Sequence, residues 1–273
     1  MRAYVVICYL FLYAPIALIV VFSFNAGRHA ADFRGFSTVW YGKALSNPFV
    51  LEALSTSILV GLTSAFLATL FGTMAALALQ RVAGWRRTLF DVMLYVALMV
   101  PGIVIGIATL VALVTLFDLV NPMIGLAWPA GLGAAPRLQL GLGSLIAAHT
   151  LFTMALAVLI VRARLAGMDR TLVEASMDLY ASPWATFRQI TLPQLVPAIV
   201  ASFLLAFTFS FDDFVIAFFV AGSSTTLPIY VFSSIRRGVT PEINAIGTLV
   251  LGFSLALIVG AQLLLRRRGS ALP

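Results

Sequence analysis

Charge is what this sequence has least of: only 10% of its residues are Asp, Glu, Lys or Arg, against 62% hydrophobic. Soluble domains carry roughly 25% charged residues. With a mean hydropathy of +1.06, the chain reads as an integral membrane protein. It has one cysteine, Cys8, in an apolar run, which excludes an intrachain disulfide and cysteine-based metal spacing. It has one lysine, Lys43, in Tyr-Gly-Lys-Ala. A phosphate-binding loop needs Gly-x-x-x-x-Gly-Lys-Ser/Thr, so any nucleotide chemistry belongs to another chain. The net charge of +7 and pI near 10.2 raise the question of nucleic acid. The arginines punctuate apolar spans and form no stripe, which argues against that partner.

What is present is hydrocarbon in long runs. Stretches of about 20 apolar residues mark spanning helices, and six are expected: Val5–Phe24, Leu54–Leu79, Val92–Phe117, Leu142–Val161, Val196–Val220 and Ile243–Leu265. The first is longer than a signal-peptide core and is followed by only a weak small-residue site near Ala26, so it reads as an uncleaved anchor. Basic residues set orientation. One set of loops holds Arg2, Arg81, Arg86, Arg87, Arg162, Arg164, Arg170, Arg188 and Arg266–Arg268. The other holds Arg28, Arg34, Lys43, Arg137, Arg236 and Arg237, a ratio of 11 to 6. Both termini are therefore expected in the cytoplasm, with Arg162 and Arg164 as ordinary topology determinants.

Within this frame, Asn25–Ala53 contains Trp40-Tyr41 and predicts a short interfacial helix. Val100-Pro101-Gly102 predicts a kink or unwound turn inside the third span, either lining a path or only packing. Asn121–Gly143, rich in Gly and Pro, predicts an external loop. His149 is the ionisable group of the fourth span. On a 100° wheel for the fifth span, Ser202, Ala206, Ser210, Asp213 and Ala217 form one stripe, beside Phe203, Phe207, Phe211, Phe214 and Phe218. Asp212 points about 100° away from Asp213. A carboxylate in hydrocarbon costs roughly 2.5–3.5 kcal/mol, so Asp213 should face protein or water. It either attracts a cationic solute or fixes helix packing.

The polar stretch Thr171–Pro197 is too polar to cross a membrane. Thr171 to Glu174 predicts a capping box on a helix running to about Ala181. Ser182-Pro183 predicts a second N-cap with proline at the first helical position, and Pro193 is expected to stop that helix. The result is a helix-turn-helix at the membrane surface.

This stretch, with Glu174-Ala175-Ser176, Asp178-Leu179, Ala181-Ser182 and Leu192-Pro193, resembles the EAA loop of permease subunits of ATP-driven (ABC) importers. Ser210-Phe211-Asp212-Asp213, Thr226-Leu227-Pro228-Ile229-Tyr230 and Ile235–Ala245 narrow the resemblance to the branch that includes spermidine/putrescine permeases, specifically the second of their two permease subunits. The resemblance covers nearly the whole chain. It implies an all-α polytopic fold of the type I importer permeases over residues 1–273 as one transmembrane domain. That domain has a core at 54–265, an added first helix at 5–24 and a coupling loop at 170–193 between the fourth and fifth spans. It implies no catalysis and no cofactor in this chain, with ATP and magnesium held by a partner ATPase.

The implied partners are a homologous permease, two copies of that ATPase, an external solute-binding protein and the bilayer of a bacterial inner membrane. The implied ATPase contacts are Glu174, Ala175, Asp178, Tyr180, Ala181 and Ser182. Pathway candidates are Asp213, Asp212, Ser210, Pro101 and His149. Relatives carrying other small solutes, such as opines or aminophosphonates, share these motifs. Two positions depart from the pattern. Tyr180 replaces the motif's glycine: if that position needs positive φ, a side chain costs about 1–2 kcal/mol, and otherwise the glycine serves close packing that tyrosine replaces. Gly102 stands where some polyamine members have an acidic residue. An intramembrane enzyme using Asp212, Asp213 and His149 is disfavoured, because adjacent helical carboxylates diverge. A stand-alone transporter is disfavoured by the absence of an internal repeat in the spans.

Overall fold

The computed structural model describes residues 2–27, 32–129 and 132–269. The described residues are almost wholly helical. Among the described residues, five helices are long and apolar enough to cross a membrane: Tyr4–Ser23, Pro48–Leu79, Gly102–Ala127, Leu142–Ala166 and Pro183–Asp212, with a shorter apolar helix at Pro241–Ala256. The chain forms two compact units, one of Met1–Ser55 with Thr225–Pro273, the other of Thr56–Ser224.

In the first unit, α1 (Arg2–Ser23) packs against α12 (Pro241–Gly269), which also meets the short helix α2 (Val39–Ser46). The expected helix at Trp40-Tyr41 is thus present. The turn from α1 toward α2 is held by Asn25, whose buried Oδ1 accepts the N–H groups of Gly27 and Arg34 at 3.0 and 2.9 Å. Ser23 Oγ meets the Tyr41 hydroxyl at 2.6 Å. Arg28, used above for orientation, lies outside the described residues. Asn47 then opens α3 (Pro48–Leu79) as its N-cap, Oδ1 accepting from Phe49 at 3.1 Å, with Pro48 at the first helical position. The second span therefore begins earlier than its apolar run. The Asn47 amide donates to Glu242 Oε1 at 3.0 Å and to the Tyr230 hydroxyl at 3.3 Å. Those two contacts tie it to α12 and to α11 (Leu227–Arg237).

The second unit carries most of the buried surface. α6 (Leu142–Ala166) packs along α9 (Leu192–Asp212) around Ala76, Leu79, Val158, Val161, Leu165 and Leu195. At Gly72 of α3, a Cβ would come within 2.7 Å of the Ala157 Cβ and 3.2 Å of the Met154 carbonyl. The α3–α6 approach therefore depends on glycine. α6 is also tied to α4 (Trp85–Met99) by an Arg162–Asp91 ion pair, so Arg162 does more than set topology. These partners stand 71 residues apart in sequence.

Three expectations are corrected here. The third span is two helices, α4 and α5 (Gly102–Ala127), because Val100 and Pro101 are extended at ψ 132° and 136°. A proline disfavours helical geometry in the residue before it, so of the predicted kink or unwound turn it is the unwound turn that forms, and only the expectation of one helix over Val92–Phe117 is corrected. Residues 121–127, expected in a loop, continue α5, with Pro122 inside it; prolines are tolerated within membrane helices. The fifth span also breaks. Asp213 is extended at ψ 120°, and a separate helix α10 (Val215–Val220) follows. The wheel therefore holds only to Asp212; within it, Ser202, Ala206 and Ser210 are buried, with Phe207 and Phe211 of the adjoining stripe.

Gly72→Leu should force α3 off α6 and lower stability by about 1–3 kcal/mol, read as a lower thermal midpoint of the detergent-solubilised protein. Gly252→Leu, where nothing lies within 4 Å, should leave the midpoint unchanged.

Candidate functional site

The first site is the polar hairpin between α6 and α9. Its first helix, α7, spans Thr171–Asp178. The expected Thr171–Glu174 capping box does not form. Asp169 Oδ1 instead accepts the Thr171 N–H at 2.9 Å, and this bond, aided by the Thr171 hydroxyl, holds the Asp169 carboxyl below the usual carboxylate range. An aspartate two residues ahead has a shorter reach to that N–H than Glu174 has back to its cap.

α7 ends at Asp178 rather than near Ala181. The N–H of Ala181 donates to the Ser176 carbonyl at 3.1 Å and that of Tyr180 to the Met177 carbonyl at 2.9 Å. This paired closure needs a left-handed residue between them, and Tyr180 has φ +58°. The motif's glycine position thus keeps its backbone conformation, and tyrosine carries the strain of about 1–2 kcal/mol.

Ser182 caps α8 (Pro183–Thr186) as expected, its Oγ accepting the Ala185 N–H at 3.3 Å. Pro193 does not stop the helix. A π-helical turn at Phe187–Thr191 leads directly into α9, with the Leu192 N–H donating to the Phe187 carbonyl. Pro193 has no N–H to return to the preceding turn, and the wider turn just ahead accommodates its ring. The second arm of the hairpin and the fifth span are therefore one continuous helix, Pro183–Asp212. Ser176 and Thr186, both buried, join α7 to α8 through a 2.7 Å hydroxyl pair. In the sequence Ser176 figured only as part of the motif and Thr186 not at all, because a hydroxyl in a polar stretch reads as surface. Glu174, Ala175, Asp178, Tyr180 and Ser182 are exposed and Ala181 is half-buried.

The second site lies where the fifth span breaks. His149 of α6 is buried, with Nδ1 2.7 Å from Ser210 Oγ of α9. Ser210 Oγ lies 2.9 Å from Ser64 Oγ of α3. On the other side, His149 Nε2 faces Asp213 Oδ2 at 3.6 Å. With the ring proton on Nε2, His149 faces the carboxylate with a positive edge and accepts from Ser210, and Ser64 then completes the row only by turning its one hydroxyl proton from the Val60 carbonyl to Ser210 Oγ. The opposite order sets a lone pair against the carboxylate and is disfavoured. Asp213 Oδ2 also accepts the Ala217 N–H at 3.0 Å, so this carboxylate caps α10 at the break.

The structure brings together three of the five pathway candidates, Ser210, His149 and Asp213. Asp212 is exposed. Pro101 belongs to the other break, and its neighbour Gly102 adjoins Val215, where a Cβ would sit 3.7 Å from Val215 Cγ1. The two helix breaks are thus neighbours. Ser64 was missed, since serines in apolar helices usually bond their own backbone, as Ser64 also does to the Val60 carbonyl at 2.6 Å.

Discontinuous membrane helices with polar groups gathered at the breaks are a feature of transporters. The chain belongs to the family of binding-protein-dependent transport system inner membrane components, whose model matches residues 68–268. It is a permease subunit of an ABC importer. It is 39% identical to the putrescine transport system permease PotI of Escherichia coli K12 over 89% of this chain and 82% of that one. It is 37% identical to the spermidine/putrescine permease PotC of the same organism over 94% and 90%, and 36% identical to PotC of Haemophilus influenzae over 97% and 96%. In fold it matches a bacterial ABC transporter involved in the import of alginate, with TM-score 0.74 at 15% identity over 96% of this chain and 92% of that one.

Ser210→Ala should strip His149 Nδ1 of its partner and cost about 1–3 kcal/mol. Ser64→Ala should cost less, because the His149–Ser210 bond survives. The order of thermal midpoints of the purified variants checks this.

Proposed function

We propose that this subunit passes a polyamine, putrescine or spermidine, through a path at the two helix breaks. The observation that carries the reading is identity of 36–39% to polyamine permeases over most of the chain. The chemistry agrees. Asp213 is a carboxylate at the C-terminal end of α9, where the helix dipole is negative. Discontinuous spans supply ion sites in other transporters, and an alkylammonium is the solute such a site favours. Gly102 leaves Asp213 as the acidic group at the paired breaks.

In the same reading, the hairpin of α7 and α8 seats in a cytoplasmic ATPase that binds ATP and magnesium. A homologous permease completes the path, and an external binding protein delivers the solute. Both termini lie in the cytoplasm, in agreement with the excess of arginine on that side. Movement of the ATPase reaches the path through the helix from Pro183 to Asp212.

Asp213→Asn keeps an oxygen to cap α10 and removes the charge. The KM for putrescine uptake by proteoliposomes holding the full importer should rise about tenfold or more, equivalent to about 1.4 kcal/mol, with little loss of protein. Unchanged uptake and KM would remove Asp213 from the path.

A further inference from the structure

We infer that Tyr180 is the anchor by which this chain selects its own ATPase, its ring seating in an apolar-walled pocket on that subunit. The inference rests on the coupling role proposed above and goes beyond it to one side chain. Among the described residues, Tyr180 is the single non-glycine residue with positive φ; Gly35, Gly84, Gly133, Gly222 and Gly238 take the other such positions. The fold therefore uses glycine wherever it needs this conformation, except at the corner of the hairpin. The turn's backbone bonds to Ser176 and Met177 would form as well with glycine here, and Tyr180 is 97% exposed, so among the described residues no packing of its ring repays the strain.

Its surroundings explain what does. Leu179 is 82% exposed, Trp184 68% and Met177 58%, so the corner presents an apolar patch led by two aromatics. Exposed Glu174, Asp178 and Arg188 lie on the same hairpin. An apolar centre with polar residues around it is the anatomy of a protein interface, and Tyr and Trp are the residues that most often dominate one. The bilayer is the lesser fit. Its acidic neighbours, Glu174 and Asp178, repel anionic headgroups. A tyrosine held at a strained corner, its backbone locked by the bonds to Ser176 and Met177, enters a partner already ordered.

The test uses the full importer membrane complex in nanodiscs, titrated with its purified cognate ATPase, for the parent, Tyr180→Gly and Tyr180→Phe. Tyr180→Gly should raise the thermal midpoint, because the strain is relieved, yet weaken ATPase binding about tenfold or more. Tyr180→Phe should bind within about threefold of the parent. Binding by Tyr180→Gly as tight as the parent's would overturn the anchor while leaving the coupling reading intact. Unchanged binding together with altered quenching of Trp184 by brominated lipid would assign the corner to the bilayer and also overturn it. A parent that binds no ATPase would overturn the coupling role itself.

Discussion

In hydrocarbon, every backbone N–H and C=O must find a partner inside the protein. The rest of this structure follows from how that demand is met where a helix cannot continue. At Asp213 the fifth span stops, and the carboxylate takes the Ala217 N–H that the break would orphan. The same carboxylate needs a positive edge opposite it, which His149 supplies. His149 in turn needs Ser210, and Ser210 needs Ser64, so one break recruits polar groups from three spanning helices. Close approach of those helices is what makes the hydroxyls reach, and small residues such as Gly72 and Ala157 allow it.

The same demand shapes the route from the membrane surface to that break. A helix containing Pro193 must lose a hydrogen bond or widen its turn, and here it widens at Phe187–Thr191 instead of ending. The hairpin is therefore not joined to the fifth span by a loop that would absorb motion. Its second arm is the first segment of that span. The buried Ser176–Thr186 pair ties α7 to α8, and in the coupling role proposed above a displacement of the exposed corner would be carried to Asp213 along continuous helix.

Hydropathy made the spans legible, because bilayer thickness imposes a length that few other constraints do. Pro101-Gly102 announced its break by steric chemistry local to those residues. The break at Asp213 was not legible: Asp212-Asp213-Phe214 contains neither proline nor glycine, and apolar periodicity on either side runs on without a phase error large enough to see. Asp91 and Arg162 escaped for another reason, since an ion pair between distant helices leaves no local pattern. At Tyr180 the sequence left two readings open, and the positive φ decided between them. The capping box failed because Asp169 competes for the same N–H, a contest that spacing alone does not score.

The central claim is that a cation-selective break in one span is driven through the hairpin by ATP hydrolysis elsewhere. The most direct measurement is ATP hydrolysis by the reconstituted importer, with its binding protein loaded in turn with putrescine, spermidine, an opine and an aminophosphonate. The account predicts stimulation by the polyamines and little by the others. Stimulation by an anionic or zwitterionic solute alone would contradict the role given to Asp213, and hydrolysis indifferent to every loaded binding protein would contradict the coupling itself.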